Sequence, residues 1–372
     1  MVNMLVALDE RFDAAVVSGA RGAIERNNFA IEERSGADDR TLAWIDDVFG
    51  GAWSGEAHRG TNFLVKDAGA PIAFATFDPR DMRYAWLRGI AAQEGVCVFG
   101  PVGVDPEQRG KGIGRSLLIC ALGAMRARGA KRALIAAVSG NIVPFYAAAC
   151  DARIVERFDL ASFTPKPVRT VVLASGNGSN FQSVLDRISE GTLPLDVTAL
   201  VTNRRDAFAI RRARVAHTQA HVVAWDRSNM ARAAYDAKLL SCVESEQPEL
   251  VLLLGWMHVL DPAFVSAFSQ LINVHPAFLP LDSSLDRVGM PDGSIIPAFR
   301  GACAVRDALE ADSSWIGVSV HGVTAETDRG PIFVRKPLRV KPADDEDAVK
   351  ARLHPLEHQV LYRAINRWLY ER

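Results

Sequence analysis

The chain has 372 residues, 49% of them apolar and 23% charged, with a formal net charge of −1. At about 150 residues per domain that length predicts two domains. The composition excludes long disorder, collagen-like repeats and the basic surface of a nucleic-acid binder. No run approaches 18 consecutive apolar residues, and the start turns acidic at Asp9 and Glu10 before a signal-type core can form. Five scattered cysteines form no CxxC pair. The expectation is a cytoplasmic protein with no membrane span, no disulfide framework and no nucleic-acid partner.

The first 60 residues are weakly patterned. Val96–Val104 reads as a strand followed by a glycine-rich turn. From Ile113 to Met125, the residues Ile113, Leu117, Leu118, Ala121, Leu122 and Met125 fall on one helical stripe. Arg126, Arg128, Lys131 and Arg132 suit the negative end of that helix. A strand at Ala133–Val138, a short helix at Phe145–Ala149 and a strand at Ile154–Phe158 complete this half.

Residues 161–167, ASFTPKP, mark the boundary, because prolines on both sides of Lys166 favour an extended, helix-free link. The predicted domains are therefore 1–164 and 168–372. Seven of the eight histidines follow the boundary. Strands are predicted at Val168–Ala174, Val197–Thr202, His221–Ala224, Leu250–Leu254, Leu271–His275 and Ile316–Val320, with helical patterns between most of them. Near-continuous apolar strands alternating with helices imply an α/β fold with a mostly parallel, Rossmann-like sheet covered on both faces. The first half reads as mixed α/β.

Two glycine-rich loops in these patterns suit anions, though the first reads equally as a plain tight connection. Arg109-Gly110-Lys111-Gly112-Ile113-Gly114 lies between a strand and a helix, where glycines let backbone N–H groups converge beside the positive helix end. The spacing is neither a P-loop nor G-x-G-x-x-G. Ser175-Gly176-Asn177-Gly178-Ser179-Asn180 follows the strand at Val168 and opens another helix. A dinucleotide fingerprint there would need glycine at 181, where Phe181 stands. The next strand ends in Asn203-Arg204-Arg205 rather than an acid for ribose hydroxyls, which argues against NAD and leaves NADP as a remote alternative.

Further on, Asn273 and His275 end a buried strand. Two residues apart, they share one side of it, placing an amide donor beside an imidazole that can carry a proton. Asp328-Arg329-Gly330 reads, by itself, as a polar turn before a strand. His354-Pro355-Leu356-Glu357-His358 fits H-x-x-E-H, but only Glu371 follows as a further zinc ligand, so no metal site is expected.

GVDPEQRGKGIGRSLL resembles the acyl-CoA-binding motif of the GCN5-related N-acetyltransferases, [Q/R]-x-x-G-x-[G/A], matching at Arg109, Gly112 and Gly114. NIVPFYAAACDARIVERF is similar to that family's closing segment. The resemblance implies acetyl-CoA as cofactor, held in part by Gly110, with Tyr146 as the acid for the CoA thiolate and Asn141 as a cofactor or substrate contact. Read by itself, Tyr146 is equally a core-capping tyrosine on a helix face.

The C-terminal half resembles the folate-dependent formyltransferases of the glycinamide ribonucleotide transformylase type. The resemblance is carried by SGNGSN, VTNRRDAFAIRRA, LVLLLGWMHVLDPAFV, INVHPAFLP, SVHGVTAETDRGPI and HPLEHQVLYRAI, in the family's order. It implies 10-formyltetrahydrofolate as formyl donor, with Asn273, His275 and Asp328 as the catalytic trio. By the same resemblance Trp256, Met257, Val259 and Leu260 form the pterin wall, with His258 where the family usually has arginine. Gly176, Asn177, Gly178, Ser179 and Asn180 would hold a substrate phosphate, and Glu357 would supply a substrate-side carboxylate. Asp328 is expected to favour the charged form of His275.

An extra segment, 281–296, stands where the family's amine-substrate site is bordered. With the fused first half, it points to a small-molecule amine or hydroxylamine other than glycinamide ribonucleotide as acceptor, and leaves a second, acetyl-transferring activity open. The alternatives are phosphoribosylglycinamide formyl transfer, or hydrolysis of the formyl donor beside a non-catalytic binding module.

Overall fold

A computed structural model describes residues 1–78, 84–164 and 166–371. The first half runs β1 (Val2–Ala7), α1 (Ala14–Glu25), β2 (Ala30–Ser35), α2 (Asp39–Phe49), α3 (Ser54–Arg59), β3 (Thr61–Asp67), β4 (Ala70–Phe77), β5 (Val96–Val104), α4 (Ile113–Ala127), β6 (Arg132–Val138), α5 (Val143–Cys150) and β7 (Arg153–Arg157). Its strands form one sheet in the order β2-β3-β4-β5-β6-β1-β7, antiparallel except between β5 and β6. The first strand of the chain thus closes the sheet between the last two. The predicted stripe on α4 is buried with Ile24 of α1 against one face. Leu42, Trp44, Ile45 and Ala57 of α2 and α3 cover Leu64 and Phe74 on the other face.

Beyond the boundary follow β8 (Val168–Leu173), α6 (Ser179–Ser189), β9 (Leu195–Thr202), α7 (Ala209–Val215), β10 (Gln219–Val222), α8 (Arg232–Glu244), β11 (Leu250–Leu253), α9 (Pro262–Ala267) and β12 (Leu271–His275). Then come β13 (Arg287–Gly289), β14 (Ile295–Pro297), α10 (Ala304–Glu310), β15 (Trp315–Gly322), β16 (Ile332–Arg339) and α11 (Glu346–Tyr370). The large sheet is ordered β10-β9-β8-β11-β12-β15-β16. Its first five strands are parallel and its last two antiparallel, which qualifies the parallel reading at that edge. Val171 and Leu173 of β8 pack towards α8 and α9, and Val172 packs towards α6 and α11. Burial on both faces explains why these strands read as unbroken apolar runs.

Several local expectations shift. The edge strand β10 begins two residues before its predicted start, since one polar-faced edge leaves a weak pattern. Helix α4 stops at Ala127, so only Arg126 and the cap Arg128 meet its negative end, and Arg132 already belongs to β6. The boundary stretch begins in a 3-10 turn, Leu160–Phe163, with Phe163 edge-on to Phe158; Pro165 lies outside the described residues. Among the described residues no helix is long and apolar enough to cross a membrane.

The two halves share a buried junction. Ala43 of α2 belongs to the same core as Val334 of β16 and Ile365 of α11. Gly51, with φ +81°, sits so close to the Arg335 carbonyl that a Cβ would lie 2.0 Å from it, so only glycine fits. Asp46 and Arg335 form a 2.8 Å ion pair with neither side chain exposed by more than 1%. The 281–296 segment joins in: its β13–β14 hairpin lies on α2, where Gly289 meets Asp39 and Arg40 Nε donates to the Pro291 carbonyl at 3.2 Å. The far end of the segment is therefore a junction element rather than a border of the substrate site.

Candidate active site

Between β8 and β11 the chain order of the large sheet reverses, and the loops leaving such a switch point open a crevice for ligands. A cleft of about 420 Å³ lies there, within the usual size for a small-molecule site. It is lined by Gly176–Asn180 after β8, Trp256–Leu260 after β11, Asn273 and His275 at the end of β12, Asp328, and Glu357 on α11. The C-terminal residues named above for catalysis, folate and substrate thus converge in one place.

His275 is buried, and its Nε2 lies 2.7 Å from the Phe299 carbonyl. A carbonyl only accepts, so Nε2 carries a proton and Nδ1 is the nitrogen left to gain or lose one. Nδ1 faces Asp328 Oδ2 at 3.5 Å. Burial lowers the His275 pKa, against an upward pull from Asp328 and the Phe299 carbonyl. Asp328 thus favours the charged form, as expected, while desolvation works against it and sets the net direction. Asp328 shows the opposite balance. Burial raises its pKa, but the hydrogen bond with His321, the His275 charge and the Gly301 N–H together hold it well below the usual carboxylate range.

Asp328 takes a left-handed backbone conformation, φ +53°, uncommon for a non-glycine residue. Two neighbours clasp it there. Gly301 donates its N–H to Oδ2 at 2.7 Å, and Arg300 Nε donates to the Asp328 carbonyl at 3.2 Å. The near end of the 281–296 segment is tied to the same turn, with Arg300 and Arg329 both gripping Asp286. Asn273 Nδ2 is 3.5 Å from Asp328 Oδ1 and 3.2 Å from His321 Nε2. In the sequence His321 stands only within SVHG, with no chemistry attached to it. Its signal was its register: His321 is the cross-strand partner of Asn273 on β15.

On the opposite wall, Trp256 is buried while Met257 and Val259 are 57% and 64% exposed, unusual for apolar side chains. Trp256 Nε1 is buried and finds no hydrogen-bond partner among the described residues. An apolar wall with one waiting donor fits a flat heteroaromatic ring such as the folate pterin. His258 is held 2.9 Å from the Tyr235 hydroxyl and packs edge-on to Trp256.

In the anion loop, Gly178 has φ +72° and packs against Ala209, while a Cβ on Gly176 would meet only open space. Arg212 fixes Asn177 through its carbonyl at 2.9 Å and its side chain at 2.8 Å. Asn180 Nδ2 donates to Glu357 Oε2 at 2.8 Å, and burial raises the Glu357 pKa against that bond.

None of the N-terminal candidates lines this cleft. Gly110 and Gly112 have φ +82° and +78°, and a Cβ on either would point into open space. That open cradle, at an N-terminus of α4 without a side-chain cap, fits the pyrophosphate of acyl-CoA. Arg109 Nε donates to the Val104 carbonyl at 3.3 Å, and Gly114 rests on Val104. Tyr146 is buried edge-on to Phe99, and burial raises its pKa, so it holds its proton. Asn141 is exposed and accepts from Ser139 Oγ at 2.6 Å.

Fold and sites together define a group transferase of two modules, one with an acyl-CoA cradle and one with a carbonyl-transfer cleft at a sheet switch point. The formyl transferase family model matches residues 168–281 and 292–365, and the acetyltransferase (GNAT) family model matches 25–150. Residues 282–291, unmatched by the first model, carry much of the junction hairpin. The chain is 35% identical over 199 residues to the phosphoribosylglycinamide formyltransferase of Escherichia coli, covering 53% of this chain and 85% of that one. It is 34% identical over 202 residues to the enzyme of the same name from Mycobacterium tuberculosis, covering 54% and 84%. Glycinamide ribonucleotide transformylase 1 from Symbiobacterium toebii aligns with a TM-score of 0.48 at 31% identity, covering 55% and 88%. The chain belongs to the formyl transferase family and carries a GNAT acetyltransferase domain in its N-terminal half. Its cofactors are 10-formyltetrahydrofolate for the one domain and acetyl-CoA for the other.

Proposed function

We propose that the protein transfers the formyl group of 10-formyltetrahydrofolate to the amine of a small anionic molecule. The carrying observation is the convergence of Asn273, His275 and Asp328 with the anion loop Gly176–Asn180 in one cleft. The folate supplies the formyl group. Trp256, Met257, Val259 and Leu260 hold its ring system, and the loop with Glu357 binds the acceptor.

As the acceptor nitrogen bonds to the formyl carbon, the Asn273 amide donates to the oxygen on which negative charge develops. His275 takes the proton of the attacking nitrogen at Nδ1, where ionised Asp328 stabilises the imidazolium so formed. His275 then returns that proton to the nitrogen whose bond to the formyl carbon breaks. A single well-placed oxyanion donor is worth ~2.7–4 kcal/mol. Residues 1–164 and 168–372 are the two modules of this scheme.

A second reading, phosphoribosylglycinamide as acceptor, is favoured by the intact anion loop and by the names of the relatives. The near end of the 281–296 segment, pinned beside Asp328 through Asp286, favours a different amine. A mass-spectrometric screen of amines with each cofactor separately decides. Formylated glycinamide ribonucleotide as the preferred product establishes the second reading. Formate release without any acceptor marks a hydrolase, and no folate-dependent product at all removes the proposal.

A further inference from the structure

In the large sheet, His275, Ser319 and Arg335 stand side by side, paired in register across β12, β15 and β16. Ser319 Oγ donates to the Ala277 carbonyl at 2.8 Å and accepts from the Leu279 N–H at 2.9 Å. Arg335 Nη1 donates to the Leu279 carbonyl at 2.6 Å, and its guanidinium lies 4.3 Å from the centre of the Phe278 ring. The segment that leaves His275, from Ala277 to Leu279, is therefore gripped by Ser319 and Arg335. Arg335 is itself buried, and an arginine taken out of water needs a charge partner. That partner is Asp46, from α2 of the acetyltransferase-like half.

From this row of contacts we infer that Arg335 is a positioning residue for formyl transfer and that Asp46 completes it. The acetyltransferase-like half then supplies part of the formyl site's scaffold, although none of its described residues lines the cleft. Asp46 aims the Arg335 fork, the fork holds Leu279 and Phe278, and these fix the exit of the strand that presents His275. A small displacement of that imidazole from its reacting geometry is enough to slow the chemistry while leaving the folate wall intact. The inference rests on the reading of His275 as the proton carrier.

Two variants of the full chain test it. Asp46→Leu combined with Arg335→Met replaces the pair by apolar side chains, a change that buried ion pairs often tolerate. Asp46→Asn keeps the shape and removes the charge. Each is followed by thermal melting, by NMR titration of the His275 imidazole, assigned with His275→Ala, and by kcat and KM on glycinamide ribonucleotide with 10-formyltetrahydrofolate. The expected result is a folded protein with a shifted His275 titration. Its kcat falls about tenfold to a hundredfold while the KM for folate stays nearly constant. Folded variants with an unmoved titration and normal kcat would reduce the pair to structural glue and overturn the inference. If the double variant does not fold, Asp46→Asn decides by the same measurements. Normal turnover by His275→Ala would instead overturn the site reading, and the imidazole titration would still report on the positioning link.

Discussion

Asp328 faces His275 Nδ1 at 3.5 Å, while the other ring nitrogen is committed to the Phe299 carbonyl. The carboxylate therefore stands beside the His275 nitrogen that is not committed to a carbonyl, and the consequences can be measured.

Asp328→Asn keeps the size of the side chain, the acceptor for the Gly301 N–H and a residue type that tolerates φ +53°. It removes the charge that would stabilise the imidazolium. Formyl transfer should fall by on the order of 10²-fold or more, the range of a positioned acid–base group. Binding of a non-reactive folate analogue should change far less. Single-turnover formylation with equilibrium binding checks both, and normal turnover would remove Asp328 from the mechanism.

The pH profile carries a sign. Burial lowers the His275 pKa below its ordinary 6.5, so the neutral ring persists into mildly acidic solution. The acid limb of kcat/KM should therefore fall below that value. Because Asp328 is what pulls the pKa upward, Asp328→Asn should move the limb lower still. The sign for stability follows too: a histidine held neutral by burial favours the fold above its unfolded pKa and costs stability as pH falls below it. An acid limb above 6.5 in the unaltered enzyme would contradict the assignment.

Gly112→Val tests the other module. The side chain would enter the open space in front of α4, and the φ of +78° would strain the backbone as well. Acetyl-CoA binding, read by calorimetry, should be abolished. Formyl transfer should be unchanged, since residues 109–114 line no part of the formyl cleft.

Cutting the chain at the boundary tests the junction. The sequence pattern predicts that 168–372 folds by itself, but the packing predicts a damaged fragment. Removing the first half takes Asp46 away from Arg335 and uncovers the core beneath Ala43, so the fragment should unfold at lower denaturant than the same residues in the full chain. Chemical denaturation of the fragment beside the full chain measures this. Equal stability would show that the halves merely touch.

Much of the formyl site is readable from neighbours in the chain. Period two places Asn273 and His275 on one face of β12, and the glycines of 176–178 mark where the strand must turn into α6. The stripe on α4 and the unbroken apolar run of β8 follow from 3.6-residue periodicity and two-sided burial. These features depend on residues within a few positions of one another, and so they survive in the linear pattern. The poorly patterned first 60 residues conceal β1, α1, β2, α2 and α3, because their strands and helices take partners far away in sequence.

Sequence by itself pointed to the α/β class, the apolar strands β8, β9, β11 and β12, the strand–loop–helix setting of the two glycine loops, and the shared face of Asn273 and His275. Tertiary structure decided the rest. It set His321 opposite Asn273 and closed the first sheet with the first strand. It clasped Asp328 with Arg300 and Gly301, laid the 281–296 hairpin on α2, and brought Asp46 to Arg335 across 289 residues of chain. The physical reason is one of range: turns and periodicities are set by local sterics and by which side of an element meets water. A buried charge finds its partner only when two distant elements pack without water between them, and no short window of sequence contains both.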